Sequence, residues 1–193
     1  KVRRNKKTTE NFGVEMTATI TAYELKLALL QYFRFRRGWI CVDEYKNKDI
    51  IADTGREIIE VEVKISKSDL IRERKKRYKH YEFKNGDAYN NSYKNIPNRF
   101  YFCVPLELAK DAERFAEGVN PNYGVISFDL DGFERFYKLF PAHWYKCLVV
   151  TKSAKPIHKE YDSNQWRGVA KRASTKLITL MEKRVKTELK CGK

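Results

Sequence analysis

The stretch Asp49-Ile50-Ile51-Ala52-Asp53-Thr54-Gly55-Arg56-Glu57-Ile58-Ile59-Glu60-Val61-Glu62-Val63-Lys64-Ile65-Ser66 decides how the chain reads. Asp49 to Ala52 and Glu57 to Ile65 are rich in β-branched residues and read as strands, while Asp53-Thr54-Gly55-Arg56 reads as the turn between them, with Gly55 free to take a positive φ. Trp39 to Val42, just upstream, reads as a further strand. Three strands on short connections predict an antiparallel meander. Side chains alternate along a strand, so Glu60, Glu62 and Lys64 share one face and Val61 and Val63 the other. Such a charged face is either the solvated side of an ordinary amphipathic strand, or it pairs internally, or it holds an ion. Asp49 lies across the hairpin and can converge with Glu62. Two carboxylates and a backbone carbonyl such as that of Val63 form a hard, open oxygen site of the kind Mg²⁺ takes, with Mn²⁺ as the substitute.

Working outward, Thr21-Ala22-Tyr23-Glu24 has the capping-box pattern and opens a helix expected from about Thr21 to Arg37, with Ile20 and Leu25 as its hydrophobic staple. Leu25, Ala28, Leu29, Tyr32 and Phe33 give it an apolar face, and Gly38 supplies the stop. Arg34, Arg36 and Arg37 then suit the C-terminal end of its dipole, or a phosphate. After the third strand, Ser66 or Ser68 is expected to cap one helix running to about Phe83, with Leu70, Ile71, Tyr78 and Tyr81 buried and a basic opposite face. Lys67 to Lys84 holds eight basic residues against Asp69, Glu73 and Glu82. Lys84 to Asn98 reads as a loop, Arg99 to Val104 as a strand, Leu106 to Glu117 as a helix and Tyr123 to Phe128 as a strand. Residues 133 to 146 are aromatic and ambiguous, Cys147 to Thr151 reads as a last strand, and a long helix follows from about Ser163 to Leu189. Its stripe of Trp166, Ala170, Ala173, Leu177, Leu180 and Val185 must dock on the body or on another chain. The implied organisation is a basic arm over 1–20, a core domain over 21–158 and a C-terminal helical segment over 159–193.

Composition narrows the class. The chain has 193 residues and a formal net charge of +15, with five basic residues among the first seven. That length buries an adequate core without disulfides or a structural metal. Cys41, Cys103, Cys147 and Cys191 are scattered at no metal-ligand spacing, which suits reduced thiols in a cytoplasmic protein and disfavours zinc. No apolar run reaches the roughly 18 residues of a membrane span. The basic excess points to a polyanion, DNA first and RNA second. Lys67, Arg72, Lys75, Lys76 and Lys79 on the basic helix are the expected phosphate contacts, and exposed aromatics could stack on unpaired bases.

An Asp, a short gap, Glu-x-Lys in an apolar strand and then a Ser-capped basic helix together resemble the PD-(D/E)XK nuclease superfamily. Glu62-Val63-Lys64-Ile65-Ser66, Asp69 to Tyr78, Phe100-Tyr101-Phe102-Cys103-Val104-Pro105 and Tyr123-Gly124-Val125-Ile126 look like its MmcB-like DNA-repair and phage-encoded nuclease branch, over roughly residues 21 to 158. The resemblance implies an α/β fold with a restriction-endonuclease-like core, a mixed central sheet flanked by helices and a long C-terminal helix. It implies a Mg²⁺-dependent nuclease acting on DNA. Asp49 and Glu62, with the Val63 carbonyl, would bind the metal, Lys64 would orient the attacking water or steady developing charge, and Glu24 would be an accessory acid. Lys48 stands where the family's proline precedes the aspartate, and Asp53 competes as the strand-two acid. The capping box alone accounts for Glu24. The rival readings are a nucleic-acid-binding module that kept the fold without catalysis, and a structural subunit that recruits a second copy or another protein through its C-terminal helix.

Overall fold

The computed structural model describes residues 20–85, 96–137, 139–161 and 167–180. The N-terminal basic arm, most of the loop after Lys84, Cys191 and both ends of the C-terminal helix, with Trp166 and Val185, lie outside the described residues. Six strands form one sheet in the order β1-β2-β3-β4-β5-β6. They are β1 (Ile40–Tyr45), β2 (Lys48–Asp53), β3 (Ile58–Val63), β4 (Arg99–Pro105), β5 (Gly124–Phe128) and β6 (Leu148–Lys152). The first three make the expected antiparallel meander. β3, β4 and β5 run parallel, and β6 returns antiparallel to β5, so the sheet is mixed.

Helices cover both faces. On one side α1 (Ala22–Gln31) is capped by Thr21, whose hydroxyl accepts from the Glu24 N–H at 3.2 Å while Glu24 accepts from the Thr21 N–H at 2.8 Å. Ile20 and Leu25 both enter the core beneath it, with Ile50, Val61, Val63, Cys103 and Ile126 of the sheet. The helix is shorter than its periodicity suggested. From Tyr32 to Arg36 the backbone widens into a π turn, and Gly38 ends the segment at φ 73°. Arg37 packs over Tyr32 and Trp39 and donates to the Tyr32 hydroxyl.

On the other side lie α2 (Lys67–Arg72), α3 (Arg77–Asn85) and α4 (Ala109–Val119). The single basic helix expected from Ser66 to Phe83 is in fact two. Ser66 caps α2 by accepting from the Asp69 N–H, and a 3₁₀ turn at Glu73–Lys75 leads to a break at Lys76, φ −82° and ψ 41°. The buried face is also not the expected one. Leu70, Glu73, His80 and Phe83 turn inward, whereas Ile71, Tyr78 and Tyr81, expected in the core, are exposed. α4 follows a 3₁₀ turn at Leu106–Leu108 and brings Ala112, Phe115 and Ala116 onto Phe100, Phe102 and Tyr123.

Within the ambiguous region, Phe133–Tyr137 form a π turn that continues the short α5 (Leu130–Gly132), and Pro141–Cys147 form a 3₁₀ run. The last helix, α6, is described over 167–180. Val169 seals it onto Val42, Ile51 and Ile58, and Lys176 pairs with Asp43. Leu177 and Leu180 of the expected stripe are exposed. Among the described residues no helix is long and apolar enough to cross a membrane, and Cys41, Cys103 and Cys147 are free thiols, Cys41 and Cys147 pushed up to about 11 by burial. Phe102 is fully buried and meets Phe100, Phe115 and Tyr123 at ring-centroid distances of 5.0, 5.6 and 6.1 Å. Phe102→Ala should cost about 3–5 kcal/mol, read as a lowered urea midpoint.

Candidate active site

Register places the charged face of β3 under α2 and α3. Glu60 lies beside Phe100 and Glu62 beside Phe102 in the parallel β3–β4 pair, so the carboxylates stand in a row next to an aromatic core. A charge there must be paired. Glu60, Glu62 and Glu73 are 0, 4 and 1% exposed, which settles the choice left by the sequence: this face is not solvated.

Lysines converge on all three. Glu60 is met by Lys48 and, at 2.7 Å, by Lys79. Glu62 is met by Lys64 at 3.1 Å, Lys79 at 3.0 Å and Lys76. Glu73 is met by Lys64 at 2.9 Å and Lys76 at 3.1 Å. Burial pushes the Glu62 carboxyl up, but the Lys79 ammonium above all, helped by Lys64 and Lys76, outweighs it and holds Glu62 below the usual carboxylate range. Glu73 is likewise opposed by burial and is held well below that range by His80 and Lys64. Burial works against the ammonium of Lys64, yet Glu62 and Glu73 raise it further above its ordinary value, so it stays charged. The Lys79 ammonium also lies 4.9 Å from the centre of the Phe100 ring, where the ring face favours a cation.

His80 extends the network. Its Nε2 is 3.4 Å from Glu73 and its Nδ1 is 2.9 Å from the Tyr123 hydroxyl. With its proton on Nε2 the ring would accept the phenolic O–H and face the carboxylate with N–H.

Asp49 occupies the point where β2 and β3 part. The last ladder pair is Ile50 with Val61, and one step further Asp49 falls opposite Glu62. Its Oδ2 accepts the Val63 N–H at 2.9 Å, doing there what a ladder carbonyl does elsewhere. Its Oδ1 lies 2.9 Å from the Lys26 ammonium of α1. Asp49 and Val63 are thus brought together, and so are Glu62 and Lys64, but the two carboxylates engage different layers, Asp49 toward α1 and Glu62 toward α2 and α3. Glu24 is held within its capping box. Asp53 is at the far end of β2, opposite Ile58, where it accepts from the Gly55 N–H and the Tyr161 hydroxyl, so it cannot replace Asp49 beside Glu62.

The residues expected on phosphates divide. Lys76 and Lys79 belong to the carboxylate cluster and Lys67 pairs with Asp111, while Arg72 and Lys75 are exposed. Sequence reading passed over Glu73, His80, Lys26 and Lys48. For two of them a signal existed: Leu70, Glu73, His80 and Phe83 are spaced by three, seven and three, which puts the acid and the imidazole on the stripe of the two core residues.

The donor set suits a hard cation. Mg²⁺ is commonly held by one or two carboxylates together with substrate phosphates, and it needs no all-protein cage. Asp49, Glu62 and the Val63 carbonyl are the right donor types on adjoining strands, but Asp49 turns to Lys26 and Glu62 to Lys64, Lys76 and Lys79, so the carboxylates are not gathered at one point. Among the described residues no group of three or more His, Cys, Asp or Glu is set to hold a metal without such help. Ammonium groups already stand at both carboxylates. Of the four lysines around Glu60, Glu62 and Glu73, Lys76 has the most exposed side chain, 43%, and is the one a cation could displace.

Comparison with known proteins agrees at the level of fold. A solved structure, the SPO1766 protein of unknown function from Silicibacter pomeroyi, superposes with a TM-score of 0.54 at 14% sequence identity, covering 85% of this chain and 94% of that one. No protein-family model matches the chain, and no curated protein matches it. The chain therefore has an α/β fold of the same class as that structure, with a six-stranded mixed sheet between helices.

Proposed function

We propose that this chain is a metal-dependent nuclease that hydrolyses phosphodiester bonds of DNA, a distant member of the PD-(D/E)XK superfamily. The observation that carries the reading is the junction of β2 and β3: Asp49 on the Val63 backbone, Glu62 opposite, and Lys64 two residues on, held charged between Glu62 and Glu73. Asp49, Glu62 and the Val63 carbonyl would hold the ion only once Asp49 leaves Lys26 and turns toward Glu62, and Lys76 leaves Glu62. When bound, Mg²⁺ polarises a phosphoryl oxygen and acidifies a water. The chain's own part is electrostatic. Lys64, fixed by two carboxylates, offers a positive charge that does not reorganise as charge builds on the phosphate. Lys76, reaching inward from the helix break, can leave Glu62 for an incoming phosphate, which frees the carboxylate as the substrate arrives.

One observation favours the second reading, a nucleic-acid-binding module without catalysis. Asp49, Glu60, Glu62 and Glu73 are met by Lys26, Lys48, Lys64, Lys76 and Lys79, five ammonium groups for four carboxylates. A site so balanced needs no metal to be stable. The deciding experiment is a cleavage assay on supercoiled plasmid, linear duplex, branched DNA and RNA, each with Mg²⁺, Mn²⁺ or EDTA. Metal-dependent cleavage of DNA, absent in EDTA, is the expected result. Tight duplex binding with no cleavage of any substrate selects the module, and cleavage of RNA alone reassigns the polymer.

A further inference from the structure

A cleft of about 400 Å³ opens between α3 and α4, lined by Arg74, Arg77, Lys84 and Arg114, by Tyr81 and Phe115, and by buried His80. Among the described residues no carboxylate lines it. Glu73 turns inward to Lys64 and Lys76, while Asp111 pairs with Lys67 and with Arg114 of the cleft itself, a surface pair that an incoming phosphate can replace. The Arg74 guanidinium lies over Phe115, 5.7 Å from the ring centre, and Tyr81 is 60% exposed. Cations around an aromatic floor are the ingredients of single-strand recognition, in which phosphates take the charges and a base takes the ring. The size is that of a small-ligand pocket, enough for one nucleotide, whereas a duplex could only lie across the mouth.

We infer that this cleft binds one nucleotide of a single-stranded nucleic acid, its flanking phosphates on Arg77, Lys84 and Arg114 and its base on the exposed ring of Tyr81. The cleft shares a wall with the carboxylate cluster, because His80 lines it and also faces Glu73, whose other oxygen holds Lys64. An unpaired nucleotide seated there fixes the strand beside the proposed reaction site. The inference rests on the reading above only for the class of polymer.

The test is anisotropy of a 5′-labelled oligothymidine and of a blunt duplex with the full chain in EDTA, so that binding is read without cleavage. Arg77→Gln with Arg114→Gln should weaken oligothymidine binding tenfold or more and make the slope of log K against log salt shallower by about 1.4, the share of two phosphates on a single strand. Tyr81→Ala should weaken it at least about fivefold with the slope unchanged, and Tyr81→Phe should restore it. Arg56→Gln with Lys159→Gln, a cationic pair in a separate groove beside Trp39 and Arg99, should change it less than twofold. The side chains replaced in the cleft are exposed, and melting curves matching the unmodified protein will verify the fold. Equal losses from both cationic pairs, or no loss from the cleft pair, overturn the inference, and an unaltered Tyr81→Ala overturns the base contact. If the unmodified chain cleaves nothing yet these losses appear, the nuclease reading falls and the cleft stands. If it cleaves DNA and the cleft variants bind as before, only the cleft falls.

Discussion

Glu62→Gln is expected to lower metal-dependent DNA cleavage by two to three orders of magnitude while leaving duplex affinity within a few-fold. The amide keeps the shape of the side chain, and its one oxygen can still accept from Lys64 and Lys76, while Lys79 keeps Glu60, so the cluster remains assembled around Glu60 and Glu73. What disappears is the negative charge that would hold a cation opposite Asp49. Lys64→Ala should match it in rate, because it removes the fixed positive charge. Affinity is spared in both because it is the sum of many phosphate contacts, whereas the rate depends on a few groups. Single-turnover cleavage with excess enzyme measures the effect. Cleavage at the unmodified rate by both variants would place the active centre elsewhere.

Glu73→Ala is expected to cost about 3–5 kcal/mol, because it removes a buried carboxylate shared by Lys64, Lys76 and His80 and leaves Glu62 as the one counter-charge of Lys64 and Lys76 among the described residues. Glu73 joins Lys64 and Lys76 and faces His80 in the helical layer, so its loss loosens the contact of α2 and α3 with the sheet. Urea unfolding at pH 7 gives the difference. The pH dependence supplies a second signature. The folded-state pKa values of Glu62 and Glu73 are depressed below the ordinary 4.5, so their contribution is fully present above that value and is lost as pH falls below it toward the folded values. The unmodified protein should therefore lose stability steeply below about pH 4.5, and Glu73→Ala should show a flatter acid limb. An acid limb of the same steepness in both would remove Glu73 from the account.

Much of the fold was legible in the sequence because it rests on local signals. β-branched runs gave β2 and β3, Thr54-Gly55 gave their turn, and Thr21 with Glu24 gave the start of α1. The break at Lys76 was not legible. The basic run continues through it without Gly or Pro, and at the break Lys76 reaches Glu62 and Glu73, a tertiary contact that no local pattern announces. The core of Phe100, Phe102 and Tyr123 was visible as apolar strands, but its conjunction with a carboxylate row was not. Alternation said that Glu60, Glu62 and Lys64 share a face. It could not say that a second layer of lysines would cover that face, since Lys48, Lys76 and Lys79 come from three different elements. The opposition of Asp49 and Glu62 followed from the hairpin, whereas the turn of Asp49 toward Lys26 depends on how α1 packs.

The order of the strands in the sheet matches their order along the chain. Each strand therefore pairs with the one made just before it, and none must wait for a later segment or insert between two already joined. A nascent chain emerging from the ribosome can lengthen this sheet at one growing edge, and the β1–β2–β3 meander, which needs only local contacts, is its natural seed. The last step is of another kind: α6 returns to the oldest part of the sheet, where Val169 meets Val42, Ile51 and Ile58. A segment made late thus closes over the hairpin that was made early, so the seed of the sheet is sealed only after the strands that grew from it.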